Sequence, residues 1–383
     1  MLKTVALPNC KSLLIRRMVL RYVYDGEVAD VPSDECSDVQ VTRRALLTLR
    51  ADAGSSSPVE VDVADCGAAY RFLMALLAVT PGRWLLTGTP RLLERPVGEL
   101  VEALSNIGAD IRRVSGGWLI AGRALRADTL TVSCARSSQF ASALLLISPI
   151  IGLETLHIVP ADAVSLPYVR MTLACMRNRV SVPAVPAVPD DLGKIGDWSA
   201  AVFWYAQAML HPGDEYELTG LSLSSVQGDS VVADWFASMG VSSVPTPDGL
   251  IVRAERPSAL IPMTFDVAGH PDLVPVMAAL ACLLPADFTF RRTRNLQFKE
   301  SRRTEVLRDQ LLPYSDIAVL DDDSFRVKGK SRGLWGNPPY TFRTCADHRL
   351  AMAFLLFGKD AVLDDTRCLR KSYPNLLEQL RNP

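Results

Sequence analysis

Leu100-Val-Glu-Ala-Leu-Ser-Asn-Ile-Gly108 and Val232-Ala-Asp-Trp-Phe-Ala-Ser-Met-Gly240 are two versions of one phrase. Leu100, Ala103, Leu104 and Ile107 fall at i, i+3, i+4 and i+7, and Val232, Trp235, Phe236 and Met239 repeat that spacing. The spacing predicts one apolar helix face, and the glycine after it is the residue that ends a helix in a left-handed turn. A short apolar strand follows each glycine, and weaker versions of the phrase occur near 168–182 and 304–318. Helix and strand patterns alternate along the whole chain, which predicts an α/β architecture. Recurrence of the phrase in both halves fits an internal duplication, although any α/β protein contains such units.

Outward from these phrases, the clearest boundary is Pro183 to Gly196, which holds Pro183, Pro186, Pro189, Gly193 and Gly196. Proline fixes φ and removes donors, so this stretch reads as extended linker. Asp197-Trp-Ser199 then opens an apolar helix, with Asp197 or Ser199 as its N-cap. With 383 residues the chain is long enough for two or three domains. Its 49% hydrophobic and 22% charged content excludes a disordered, collagenous or coiled-coil chain.

Lys and Arg number 41 against 42 Asp and Glu, a net charge of −1, so nothing draws the chain in bulk to nucleic acid or an anionic membrane. The longest apolar run, Ala141 to Leu153, contains Ser142, Ser148 and Pro149 and is too short and polar to span a bilayer. Eight cysteines form no C-x-x-C pair and only four histidines accompany them. Reduced thiols are expected, and no metal site. Residues 11–21 are basic and amphipathic, in the manner of a transit peptide.

Short polar clusters interrupt the apolar pattern: Lys11-Ser12 with Arg16, Asp65 to Arg71, Glu94-Arg95-Pro96, Ser137-Ser138-Gln139, His270-Pro271-Asp272, Lys299-Glu300-Ser-Arg302-Arg303, Asp347-His348-Arg349 and Lys371-Ser-Tyr-Pro374. Most stand where an apolar helix begins. Cationic side chains beside free backbone N–H groups and a positive dipole end make anion sites. Lys11, Arg16, Arg71, Arg95, Arg303, Arg349 and Lys371 gathered in a neutral protein suit substrates with several negative charges, and Asp272 and Glu300 supply carboxylates for proton transfer. Taken singly, each cluster reads equally as a cap or a solvated face.

Taken in order, they resemble the enolpyruvyl transferase family, in the branch that acts on shikimate 3-phosphate. The residues that carry the resemblance are L-P-x-x-K-S-x-x-x-R (7–16), D-C-G-A-A-Y-R-F (65–72), L-T-G-T-P-R-L-L-E-R-P-V-G-E-L (86–100), S-S-Q-F-A-S-A-L-L (137–145) and S-L-P-Y-V-R-M-T-L (165–173). D-W-S-A-A (197–201), Q-G-D (227–229), P-D (271–272), K-E-S-R-R (299–303), D-H-R-L-A-M-A-F (347–354) and K-S-Y-P (371–374) continue it, so it spans Leu7 to Leu380. Because the first motif begins by residue 7, no removable presequence is expected ahead of it.

The resemblance implies a two-lobed inside-out α/β barrel, each lobe built of three βαβαββ repeats with helices inside and sheets outside. One lobe would be 11–195, the other 1–10 with 196–383, and the active site would lie in the cleft. The implied reaction transfers the enolpyruvyl group of phosphoenolpyruvate to the 5-hydroxyl of shikimate 3-phosphate and releases phosphate, by addition then elimination. No cofactor, metal, nucleic acid or membrane is implied, and a cytoplasmic monomer is. By matching positions, Lys11, Ser12, Arg16, Ser137, Ser138, Gln139, Ser165, Tyr168, Asp272, Asn295 and Lys299 would hold shikimate 3-phosphate. Lys11, Gly67, Arg95, Gln139, Arg303, Arg349 and Lys371 would hold phosphoenolpyruvate. Asp272 would take the 5-hydroxyl proton, Glu300 with Lys11 would move the proton at the methylene carbon, and His348 would assist at the leaving phosphate.

Several residues depart from the family pattern. Ala68 and Phe72 stand where threonine and proline are usual, which implies an altered pocket for glyphosate, a competitor of phosphoenolpyruvate in this family. Asp65 stands for asparagine, Asn9-Cys10 for Gly-Ser and Leu14-Ile15 for a polar pair. Arg302 replaces an aspartate beside Arg303, and residues 177–196 form a shortened segment. Two other readings stay open: the sister transferase acting on UDP-N-acetylglucosamine, and a catalytically weak substrate-binding homologue.

Overall fold

The computed structural model describes residues 2–159, 164–177, 195–255, 262–284 and 286–381. Contacts divide the chain into two units, Met1–Cys10 with Lys194–Pro383, and Lys11–Gly193. Of the proline-rich stretch read as a linker, only Ile195 and Gly196 lie within the described residues.

In the unit formed by Lys11–Gly193, one repeat runs strand Val59–Asp62, helix Gly67–Val79, strand Gly82–Thr87, helix Gly98–Ser105 and strands Asp110–Val114 and Gly117–Gly122. The first two strands pair in parallel, and the last two form an antiparallel hairpin whose returning strand lies beside the second. The sheet order is therefore first, second, fourth, third. A shorter βαβα run follows: Thr129–Ser133, Gln139–Ile151, Thr155–Val159 and Leu166–Met176, with its two strands parallel. Helix Lys11–Asp25 packs against the two helices of this run, and Ser37–Asp52 packs between Lys11–Asp25 and the first repeat's Gly67–Val79 and Val59–Asp62.

The second unit repeats the plan. Strand Leu2–Val5, from the start of the chain, pairs in parallel with Glu215–Thr219, and helix Trp198–Leu210 packs beneath them. Helix Val232–Ala237 leads to the hairpin Val241–Pro245 and Gly249–Ala254, again in the order first, second, fourth, third. Met263–Asp266, Val274–Leu283, Asp287–Arg291, Arg303–Leu311, Ser315–Asp321 and Ser324–Gly329 make a second full copy with that order. Tyr340–Phe342, His348–Leu355, Ala361–Leu363 and Leu376–Arg381 make a βαβα run.

Burial explains the arrangement. Helix Gly67–Val79 buries Tyr70, Phe72, Leu73, Met74 and Leu77 around its whole circumference, and helix Val274–Leu283 buries Val274, Val276, Met277 and Leu280. A helix apolar on every side is stable only when surrounded. The strands bury one face and wet the other: in Gly82–Thr87, Trp84 and Leu86 point inward while Arg83 faces water. Helices therefore sit inside each unit and sheets outside. The glycines expected to stop the repeat helices do so with left-handed φ, +93° at Gly108 and +89° at Gly240. Among the described residues no helix is long and apolar enough to cross a membrane.

Candidate active site

The repeat places the polar motifs at helix starts. Lys11, Gly67, Gln139, Arg303 and His348 are each the first residue of a helix, Asp197 caps another, and Asp272 lies two residues before Val274–Leu283. A βαβ crossover delivers the chain to the helix N-terminus straight from a strand end, which leaves its backbone donors exposed to a ligand.

In the unit 11–193, the motif residues are tied together by two buried guanidiniums. Arg16 is 2% exposed. Its Nε donates to Thr172 Oγ1 at 2.7 Å, Nη1 to the Ser12 carbonyl at 2.8 Å, and Nη2 to Ser142 Oγ and the Tyr168 carbonyl, both at 3.2 Å. Those bonds join three helices, so in this structure Arg16 fixes Ser12 and Tyr168. Arg71, 1% exposed, donates to the carbonyls of Gly67 and Pro96 and to Gln139 Oε1. Ser137 Oγ accepts from the Gln139 amide at 3.3 Å, and Ser138 is buried beside it. Ser165 holds a left-handed φ of +55° ahead of its helix, and its carbonyl accepts from Tyr168 N. Arg95 is half-buried, with its guanidinium packed against Gly67: a Cβ there would lie 2.6 Å from Arg95 Nη1.

Lys11 Nζ meets Asp38 Oδ2 at 2.8 Å, with side chains 13% and 5% exposed. Asp38 carries no signal in the sequence: it is an ordinary acidic residue in the first turn of Ser37–Asp52. Beside it, burial and the Asp38 charge push the Cys36 thiol up to about 12 against the pull of Lys11, which leaves it protonated and inert at neutral pH.

In the other unit, Asp272, Lys299, Glu300, Arg303 and Arg349 form one ion network. Arg303 Nη1 donates to Asp272 Oδ1 at 2.8 Å, Lys299 Nζ lies 3.4 Å from the same oxygen, and Arg349 Nε lies 3.6 Å from Asp272 Oδ2. Burial alone would raise the Asp272 carboxyl; Lys299, Arg303 and Arg349 outweigh it and hold the group well below the usual carboxylate range, with Glu300 opposing them. Arg303 is fully buried, and all five of its N–H donors are committed. They reach Asp347 Oδ2 (2.8 Å) and Oδ1 (3.2 Å), Asp272 (2.8 Å), the Pro271 carbonyl (3.3 Å) and Glu300 Oε2 (3.1 Å). Asp347 also accepts from Ser301 Oγ and from Arg349 N, so one buried carboxylate caps helix His348–Leu355 and anchors Arg303. Asn295 Nδ2 donates to the Ala268 carbonyl at 3.3 Å, fastening the turn that leads to Asp272. His348 and Lys371 are both buried, the latter ending segment Arg367–Lys371 just before the buried Tyr373.

Two departures find their place. Arg302 is exposed and pairs with Glu305 at 3.4 Å, so it takes no part in the support of Arg303. Phe72 is fully buried with its ring 5.1 Å from Arg16, which makes it a core substitution, while Ala68 is half-buried in the first turn of its helix.

A sequence profile of the EPSP synthase (3-phosphoshikimate 1-carboxyvinyltransferase) family matches residues 38–380. The chain belongs to that family. Among its curated relatives, the 3-phosphoshikimate 1-carboxyvinyltransferase of Bacteroides fragilis is 32% identical over 99% of this chain and 94% of its own. The enzyme of that name from Methanospirillum hungatei JF-1 is 27% identical over 98% of this chain and 94% of its own. Among solved structures, EPSP synthase from Acinetobacter baumannii superposes with a TM-score of 0.69 at 18% identity, covering 100% of this chain and 95% of that one. The enolpyruvyl transferase NikO from Streptomyces tendae does so at 0.67 and 16%, covering 99% and 94%. At such identities the structures speak for the fold alone, which is the inside-out α/β fold that the burial pattern shows.

Proposed function

We propose that this EPSP synthase family enzyme transfers the enolpyruvyl group of phosphoenolpyruvate to the 5-hydroxyl of shikimate 3-phosphate and releases inorganic phosphate. The observation that carries the reading is the network around Asp272, where two half-buried carboxylates, Asp272 and Glu300, share Arg303, and Asp272 also meets Lys299 and Arg349. Both substrates are polyanions that such cations attract.

The chemistry divides into two balanced steps. The 5-hydroxyl oxygen attacks C2 of phosphoenolpyruvate while its proton leaves and a proton arrives at C3, giving a tetrahedral phosphate-bearing intermediate with a methyl group. The C2–O bond to phosphate then breaks, a methyl proton departs, and the enol ether is restored. Asp272 serves as the base for the hydroxyl, and Glu300 with Lys11 serves the carbon. Lys11, Ser12, Arg16, Ser137, Ser138, Gln139, Ser165, Tyr168, Asp272, Asn295 and Lys299 hold shikimate 3-phosphate, with Arg16 also tying the carbonyls of Ser12 and Tyr168. Lys11, Gly67, Arg95, Gln139, Arg303, Arg349 and Lys371 hold phosphoenolpyruvate, and His348 assists the departing phosphate.

Arg303 poses a question of supply. With five donors committed, it donates to a substrate carboxylate only by releasing an acceptor it now holds, and Asp272 and Glu300 are the partly exposed ones while Asp347 is fully buried. That exchange has a chemical use. A carboxylate held well below its usual range is a poor base. Substrate anions that draw off its cations raise Asp272 toward the range in which it takes a proton. The reading also carries a cytoplasmic monomer without a cofactor.

The test is phosphate release from phosphoenolpyruvate by the purified protein, with shikimate 3-phosphate, with UDP-N-acetylglucosamine, and with neither. Release that requires shikimate 3-phosphate is expected. Release only with the nucleotide sugar, or none from folded protein, would overturn the proposal.

A further inference from the structure

Arg71 is one of the largest fully buried side chains of the protein. It sits in the second turn of helix Gly67–Val79, and its guanidinium lies 5.7 Å from the centre of the Phe140 ring. Nη1 donates to the Gly67 carbonyl at 3.1 Å and to Gln139 Oε1 at 2.9 Å, and Nη2 donates to the Pro96 carbonyl at 3.0 Å. The three acceptors come from motifs 25 to 68 residues away and from its own helix start. Each motif holds a residue read above as a substrate ligand: Gly67, Arg95 next to Pro96, and Gln139.

We propose that Arg71 is a positioning residue that sets the orientation of the Gln139 side-chain amide, and that it is not itself a ligand of the substrates. The inference rests on the substrate reading of the preceding subsection. A glutamine amide offers an acceptor on one side and two donors on the other, and a half-turn exchanges them. A guanidinium donates only to the oxygen face. With Oε1 held by Arg71, Nε2 is the face left over, and that is the face an anion or a hydroxyl oxygen needs. The same guanidinium fixes the carbonyls of Gly67 and Pro96, and so both the helix start that the Arg95 side chain packs on and the residue that follows Arg95. Lysine has the charge but is a single point with no planar fork, and it does not span three acceptors at these distances.

The experiment is a double-mutant cycle on kcat/KM with Arg71→Lys, Gln139→Ala and the pair, each with its melting temperature. Wild-type turnover is measured first, because its absence would sink the substrate reading and leave the Arg71–Gln139 tie to be read from the melting temperatures. Arg71→Lys is expected to lower kcat/KM roughly 10-fold to 100-fold, mostly through KM, with the double variant no worse than the poorer single within about threefold. Losses that multiply in the double variant, or an Arg71→Lys enzyme within about twofold of wild type, would overturn the proposal. Should Arg71→Lys fail to fold, Gln139→Glu decides. It gives Arg71 a carboxylate partner and turns an anion toward the substrates. Its melting temperature is expected to match or exceed that of wild type while KM for both substrates rises roughly 100-fold or more. Unchanged KM, or a melting temperature as low as that of Gln139→Ala, would refute the tie.

Discussion

Replacing Arg303 by methionine removes the centre of the buried ion network that joins Asp272, Glu300 and Asp347. Methionine keeps much of the volume and none of the donors. Asp347, wholly buried, would keep only the Ser301 hydroxyl at 3.0 Å and the Arg349 amide at 3.0 Å. Asp272, 17% exposed, would keep Lys299 and Arg349 at 3.4 and 3.6 Å. Breaking one partner of a buried ion pair costs about 3–5 kcal/mol, because the charge left behind has lost its solvent and gained nothing. For a unit of this size that corresponds to a fall in melting temperature of roughly 6–20 °C. Asp347→Asn keeps the oxygen that caps the helix and removes the stranded charge. The double variant Arg303→Met with Asp347→Asn should therefore be more stable than Arg303→Met alone, by about 1–3 kcal/mol. Urea unfolding followed by circular dichroism, with matched thermal scans, measures both quantities. A loss under about 1 kcal/mol for the single variant, or strictly additive losses in the double, would show that the network does not hold this unit together.

The other outcomes follow from the same geometry. Asp272→Asn and Glu300→Gln should each lower kcat by roughly 100-fold or more in the phosphate-release assay, and near-normal turnover would remove that residue from proton transfer. Because the Asp272 carboxyl is depressed in the folded state, its stabilisation is present above the ordinary aspartate range and is lost as pH falls through its folded value. The stability gap between wild type and Asp272→Asn should therefore be full at pH 7, begin to shrink as pH falls into the ordinary aspartate range near about 4, and go on shrinking down to the folded value; a gap that vanishes by about pH 6 would contradict the three-cation clamp. Gly67→Ala brings a methyl group within 2.6 Å of Arg95 Nη1, the far end of a flexible side chain, so KM for phosphoenolpyruvate should rise with little change in melting temperature, and an unchanged KM would place Arg95 elsewhere. Asp38→Asn removes the partner of Lys11 and should lower kcat by roughly tenfold, where no change would show that Lys11 positions itself.

How much of this was legible beforehand depended on whether the signal was local. The repeat could be read because it rests on apolar spacing and a terminal glycine, both properties of a dozen consecutive residues. Asp197 as a cap was visible for the same reason, as were the apolar helices that follow the motifs at 65–71, 137–139 and 347–349, although the structure draws Gly67, Gln139 and His348 into those helices as their first residues. The partners of the charged residues were not visible. Asp38 lies 27 residues from Lys11, and Arg71 lies 68 from Gln139, with no period or motif joining either pair. Arg16 and Arg71 read in the sequence as two more cations for an anion. The structure shows them buried and donating to carbonyls, hydroxyls and an amide, which follows from helix packing and from nothing in the neighbouring sequence. Arg302 misled in the other direction. Its place beside Arg303 suggested a role in supporting it, but successive helix residues face different ways. Arg302 turns to water and Glu305.

The cations of this protein fall into two kinds, and the difference bears on how it works. Arg16 and Arg71 are buried and donate chiefly to neutral oxygens on several motifs each, so burial and these ties hold them in place. Arg303, Lys299 and Arg349 are paired with carboxylates, which a substrate carboxylate or phosphate matches in charge and geometry. The first kind is a fixed frame, and the second is an exchangeable set. Binding through exchange gives up much of the affinity that free cations would provide, since each new pair replaces an old one. It gains a coupling that free cations lack, because the displaced partners are the two carboxylates assigned to proton transfer. On the proposed roles, the base strengthens only when the anion is present, and without it the cations hold the Asp272 carboxyl well below its usual range.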